Sequence, residues 1–186
     1  MAWWKREPKP VEESPAGPDL PLIRLEHVSK VFPGDADEET RALDATLYGR
    51  RVYEVMSAYW PTGEANPEST ETMREFARIW NPMPKVVFST TLDRVDHNSR
   101  LVRGDVGEIY ADLRKELDGD IGVAGPNLAG QFVQRGLVDV FKLVVHPVAI
   151  GAGTPYWPPL ESPIPLRLVD RHEFGAGVVV LTYARA

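Results

Sequence analysis

Three short stretches carry residue types from which chemistry can be built. In "GDIGVAGPNLAGQF", Gly119–Phe132, a β-rich run meets Gly125 and Pro126, and a helical pattern starts at Asn127. A strand, a glycine turn and a helix N-terminus aim backbone N–H groups and the positive end of a helix dipole at one spot, which favours an anion. The same turn can also be only a tight connection. In "YGRRVYE", Gly49 ends a strand and Arg50 and Arg51 open a helix. Two guanidinium groups there suit a phosphate, because the planar fork matches its oxygens; a pair of solvated surface arginines reads the same way. "VVFSTTL" brings the hydroxyls of Ser89, Thr90 and Thr91 to the exit of an apolar strand. Together the three exits suggest one crevice along the carboxyl edge of an open α/β sheet, where ligands of such folds bind.

Other chemistries are excluded or unsupported. "GPNLAGQF" has P-loop glycine spacing, but Gln131 and Phe132 stand where that loop needs lysine and a hydroxyl. Nucleotide hydrolysis is therefore not expected. Without cysteine there is no thiolate nucleophile, disulfide or thiolate metal site. His27, His97, His146 and His172 form no ligand-spaced pair, so no metal site is expected. His146, in an apolar strand before Pro147, reads as a core histidine. No G-x-S-x-G elbow offers a hydrolase nucleophile. A net charge of −6 argues against a nucleic-acid partner. No apolar run reaches the roughly 18 residues of a membrane span, and the N-terminus lacks a signal-peptide core. A cytoplasmic protein acting on a small-molecule substrate is expected.

The elements that must position these residues follow from periodicity. Residues 1–20, rich in Pro, Glu and Lys, read as a disordered leader. "LIRLEHVSKVF" (Leu22–Phe32) alternates like a strand and leads into an acidic linker, so residues 21–44 form a unit of their own before the main domain, 45–186. There, "ATLYG" is a strand and "RRVYEVMSAYW" a helix with Val52, Val55, Met56 and Tyr59 on one face. "ETMREFARIW" is a second helix; "KVVFST" and "SRLVRGD" are strands; "VGEIYADLRKEL" is an amphipathic helix. "DIGVAG" is a strand, followed by "NLAGQFVQRG", a helix capped by Asn127 and closed by Gly136. "VDVFKLVVHPVAI" is expected as one long strand near the sheet's edge, and "LRLVDRHEF" with "VVVLTYA" as an antiparallel edge hairpin. The alternation implies an α/β fold with a mostly parallel sheet flanked by helices.

The order of "LYGRRVYEVMSAYWP", "PKVVFSTTLD", "RLVRGD", "GDIGVAGPNLAGQFVQRGLVDVFKLVVHPVAIGAGTPYW" and "LRLVDRHEFGAGVVVLTY" resembles the dihydrofolate-reductase-like family. The nearest branch is the reductase domain of bacterial riboflavin biosynthesis. The resemblance implies NADPH bound with its pyrophosphate between two helix N-termini, and hydride transfer to a pyrimidine, pteridine or ribosylamine-type substrate. By position, Gly49, Arg50 and Arg51 would face the cofactor's phosphates, and Ser89 and Thr90 the adenosine ribose. Gly125, Pro126, Asn127 and Leu128 would hold the pyrophosphate and nicotinamide side. It also implies a homodimer, expected through "VDVFKLVVHPVAI" or the "GAGTPYWPP" loop. Val52 replaces the family's usual threonine, and Thr90 stands where close relatives often carry arginine. Residues 21–44 resemble instead the opening strands of an ABC-transporter ATPase, with no Walker lysine or signature motif after them. "HVSKVFPGD" is expected to fill the family's first strand, with Lys30 where the family has aspartate and Asp35 or Asp37 as the nearest carboxylates. A non-catalytic nucleotide-binding or scaffold protein is the alternative from another class.

Overall fold

A computed structural model describes residues 40–186 and the backbone of 23–26. In chain order its elements are β1 (Ile23–Glu26), β2 (Leu43–Gly49), α1 (Arg50–Gly63), α2 (Glu71–Trp80), β3 (Lys85–Phe88), β4 (Ser99–Val102), α3 (Val106–Glu116), β5 (Asp120–Ala124), α4 (Pro126–Gln134), β6 (Val140–Val145), β7 (Leu166–Phe174) and β8 (Val178–Arg185). The leader, "HVSKVFPGD", Lys30, Asp35 and Asp37 lie outside the described residues.

One sheet runs in the order β4-β3-β2-β5-β1-β6-β8-β7. Its pairs from β4 through β6 are all parallel, β8 is antiparallel to β6, and β7 is antiparallel to β8. The expected architecture, a mostly parallel helix-flanked sheet with an antiparallel C-terminal hairpin at its edge, is the one observed. Ile23–Glu26 lies between β5 and β6, so that Glu26 ends in register with Ala124.

Each face of the sheet carries its own core. On one side Leu47, Val86, Ile121, Val123 and Phe141 meet Val106 and Leu113 of α3 and Leu128, Ala129, Phe132 and Val133 of α4. On the other, Tyr48, Val87 and Ala124 meet Tyr53, Met56 and Trp60 of α1 and Ala77 and Trp80 of α2. Parallel strands buried on both faces read as continuous apolar runs, which is why "KVVF" and "DIGVA" are legible as strands.

Four local expectations need correcting. Val55 is 71 % exposed; Met56 is buried and Val52 and Tyr59 pack partly buried against the same core, as expected, while Tyr53 and Trp60 complete the buried stripe of α1 in place of Val55. Asn127 does not cap α4: Gly125 is the cap and Pro126 the first helical residue, a place where a missing N–H costs nothing. β6 stops at Val145, because the ladder with β8 ends at the pair Val145–Val179 and Pro147 cannot donate to a continuation. His146 therefore lies just past the strand, half-buried. β6 is also interior, between β1 and β8, and the edges are β4 and β7.

Candidate functional site

β2 and β5 are neighbours in the middle of the sheet, with Tyr48 beside Ala124. Each gives way to a helix after one glycine, so α1 and α4 begin side by side. A methyl on Gly49 would sit 3.8 Å from Leu128 Cβ. Neither helix has a side-chain cap. The other two long helices do: Thr70 Oγ1 accepts from Met73 N–H at 3.3 Å in α2, and Asp105 Oδ1 accepts from the N–H groups of Gly107 at 2.7 Å and Glu108 at 3.2 Å in α3. These bonds and the guanidinium of Arg135 at 3.0 Å hold the Asp105 carboxyl below its ordinary range. First-turn N–H groups need a partner, and at α1 and α4 the fold leaves that place to solvent or a ligand.

Gly125 makes the approach of the two turns possible. Its φ is +93°, and a Cβ there would lie 2.6 Å from Val52 Cγ2. Pro126 supplies a fixed φ and no donor; the available N–H groups of this turn belong to Asn127, which is exposed, and Leu128, which is buried. At α1 the two residues that open the helix, Arg50 and Arg51, are both exposed.

The hydroxyl turn joins this edge from the next strand. Gly49 is in register with Phe88, so Arg50 and Ser89 leave the sheet together. Arg50 Nη1 donates to Thr91 Oγ1 at 3.3 Å, and Arg50 Nε lies 3.8 Å from Glu54 Oε1. Ser89 Oγ accepts from Thr91 N–H at 3.2 Å and Leu92 N–H at 3.0 Å, closing the turn. Thr90 is exposed. The structure thus lines up Gly49, Arg50, Arg51, Ser89, Thr90, Gly125, Pro126, Asn127 and Leu128 along one edge, and it adds Thr91 as the residue that meets Arg50.

Lys85 was not singled out by its sequence context. It is 1 % exposed at the start of β3, and Nζ donates to the carbonyls of Met83 at 2.7 Å, His97 at 2.9 Å and Asn81 at 3.4 Å. The ammonium stands 4.1 Å over the Trp80 ring. Burial pushes its pKa down to about 8. A lysine before an apolar strand usually marks a boundary, so no sequence signal would have found it. It lies at the opposite end of β3 from Ser89 and fastens α2 to the β3–β4 connection.

Comparison with known proteins gives a coherent set. A family model described as the RibD C-terminal domain matches residues 28–180. The uncharacterised protein YyaP of Bacillus subtilis is 31% identical over 142 residues, 76% of this chain and 73% of YyaP. A chain from Shewanella sp. PV-4 named for riboflavin biosynthesis superposes with a TM-score of 0.67 at 17% identity, covering 88% of this chain and 98% of that one. A diaminohydroxyphosphoribosylaminopyrimidine deaminase/5-amino-6-(5-phosphoribosylamino)uracil reductase from Thermotoga maritima superposes with a TM-score of 0.58 at 12% identity, covering 90% of this chain and 57% of that one. At these identities the two structures speak for the fold.

Proposed function

The chain belongs to the RibD C-terminal domain family, and from that premise we propose that it is an NADPH-dependent reductase of a pyrimidine, pteridine or ribosylamine-type substrate. The nearest activity is the 5-amino-6-(5-phosphoribosylamino)uracil reduction for which the Thermotoga relative is named. The observation that carries the proposal is the pair of uncapped helix N-termini at adjacent strand ends, kept close by a glycine whose Cβ would collide with Val52. A pyrophosphate is the doubly anionic, two-sided group that such a pair accommodates.

In this reading the N–H groups at the start of α1 and those of Asn127 and Leu128 hold the two phosphates, and Arg50 and Arg51 add charge-assisted bonds. Ser89 and its turn face the adenosine ribose. When bound, the nicotinamide supplies the hydride. The chain's part would be to hold that ring in orientation toward the substrate and to keep water from it. Orientation of this kind supplies a large share of the rate in bimolecular transfers.

The test is a titration with NADPH followed by quenching of the intrinsic tryptophans, of which the chain has 5. Loss of nicotinamide absorbance on adding candidate pyrimidines and pteridines then reports turnover. Saturable binding with turnover supports the reductase. Binding without turnover on any of them supports a non-catalytic nucleotide-binding protein, and no binding removes both readings.

A further inference from the structure

Residues 146–165, between β6 and β7, form the longest stretch of the described chain without a helix or strand. A connection of that length inside a compact domain is usually a functional one. Its second half is fastened. Trp157 packs against Phe141 with ring centroids 5.0 Å apart, and Tyr156 Oη donates to the Lys142 carbonyl at 3.4 Å. Gln134 Nε2 of α4 donates to the Pro159 carbonyl at 3.0 Å, and Pro158 lies so near α4 that a Cβ on Gly130 would meet it at 3.3 Å.

The first half is not fastened in this way. Residues 147–155 are all exposed. Two hydrogen bonds shape this arm, from Val148 N–H to the His146 carbonyl at 2.8 Å and from Ala152 N–H to the Ile150 carbonyl at 2.9 Å. Both close three-residue turns within the arm itself, and among the described residues no backbone hydrogen bond ties 147–155 to the helices or the sheet. Yet its tip carries large apolar side chains: Val148 is 67% exposed and Ile150 75%, the highest value among the large hydrophobic residues described. Next to them Gly151 stands at φ +74° with nothing within 4 Å of the place a Cβ would take. A left-handed glycine in open space lets the segment turn there at no steric cost. Two apolar side chains at the tip of such an arm are suited to burial against a ligand that arrives later.

The arm also starts at the right place. With the pyrophosphate between the ends of β2 and β5 and the adenosine toward β3, the nicotinamide end and the substrate fall on the other side of β5, where β1 and then β6 follow. β6 runs on to Val145, beyond the row where Leu25 of β1 meets Phe141, so the arm leaves from a strand that stands above this part of the edge. Ile150 is five residues from Val145, a limb that extends up to about 17 Å. β1 and β5 lie only about 5 and 10 Å from β6, so the tip reaches the crevice with length to spare.

We propose that residues 147–155 are a lid that closes over the substrate beside the nicotinamide, with Val148 and Ile150 as its inner face. The inference rests on the reductase reading, and it names the device that keeps water from the reacting atoms. Closure of this kind shields hydride transfer and commits the bound substrate.

The experiment is hydrogen exchange on the full chain alone, with NADP⁺, and with NADP⁺ plus 5-amino-6-(5-phosphoribosylamino)uracil, a pair that cannot turn over because the oxidised cofactor carries no hydride. Residues 147–155 are expected to exchange freely in the first two states and about ten-fold or more slowly in the third. In Val148→Ser/Ile150→Ser, two exposed positions where the fold is not at stake, that protection should be lost and kcat/KM with NADPH should fall about ten-fold or more, while NADP⁺ affinity stays within about two-fold of wild type. If tryptophan quenching shows that both ligands bind and the arm still exchanges as in the free protein, the lid falls and the reductase reading stands. Slow exchange of the arm in the free protein, deepening with protein concentration, would also overturn the lid, since a second copy would then cover Val148 and Ile150. If the uracil does not bind, the lid falls together with the reductase reading.

Discussion

Replacing Gly125 by alanine puts a methyl where the two helix starts meet. Two costs are separable. The backbone at φ +93° and ψ 134° lies where side-chain-bearing residues rarely go, a strain of about 1–3 kcal/mol. The new Cβ also falls 2.6 Å from Val52 Cγ2 but 3.7 Å from Val52 Cβ, so the overlap involves one methyl group and adds about 1–3 kcal/mol of overpacking. Gly125→Ala should therefore lose about 2–6 kcal/mol in urea denaturation, and weaken NADPH binding through the displaced N–H groups of Asn127 and Leu128. Val52→Ala removes the methyl that is struck and leaves the backbone strain. The double variant should recover about 1–3 kcal/mol relative to the sum of the singles, the coupling expected of side chains in contact. A loss below about 0.5 kcal/mol for Gly125→Ala, or strict additivity, would refute the close approach of the two turns.

Three further outcomes are expected. Arg50→Ala should weaken NADPH binding by about ten-fold or more, because bonds to a charged partner are worth about 1.5–3 kcal/mol, whereas Arg94→Ala should change it by less than about two-fold; equal effects in fluorescence titrations would return both to the solvated surface. Lys85 has a folded pKa of about 8, below its ordinary 10.5, so between these values the unfolded chain holds more protons and wild-type stability rises with pH, by roughly 1–3 kcal/mol at most. Lys85→Met should flatten that rise in thermal melts across the same window, and parallel curves would show that the ammonium is not desolvated. We further propose a homodimer through β7, the edge strand on which Leu168 and Val169 are 39% and 44% exposed, since exposed edges invite pairing; sedimentation should give a dimer mass that Val169→Lys halves, and a monomeric wild type would exclude it.

Much of this was legible from periodicity and turn chemistry. Runs such as "KVVF" and "DIGVA" are apolar without alternation, as strands buried on both faces must be, and each is followed by a glycine or hydroxyl turn at the sheet's edge. The three exits named from sequence do converge, because β3, β2 and β5 are neighbours in the sheet. What could not be read is what depends on register. Val55 is apolar yet exposed, because α1 turns Tyr53, Met56 and Trp60 to the sheet, a choice among neighbouring apolar positions that pattern alone does not make. "VDVFKLVVHPVAI" reads as one strand because nothing apolar interrupts it, yet its length is set by its partner β8. Lys85 satisfies its charge with the carbonyls of Asn81 and Met83 just before it and of His97 beyond β3, a convergence that apolar patterning does not signal.

The central claim is that a dinucleotide's pyrophosphate lies between the N-termini of α1 and α4. A crystal structure of the protein with NADPH measures this directly. The account predicts phosphate density within hydrogen-bonding distance of the N–H groups that open α1 and of those of Asn127 and Leu128, with the adenosine end toward Ser89 and its turn. Density for the pyrophosphate anywhere else on the molecule, with the Gly49 and Gly125 turns facing only water, would contradict it.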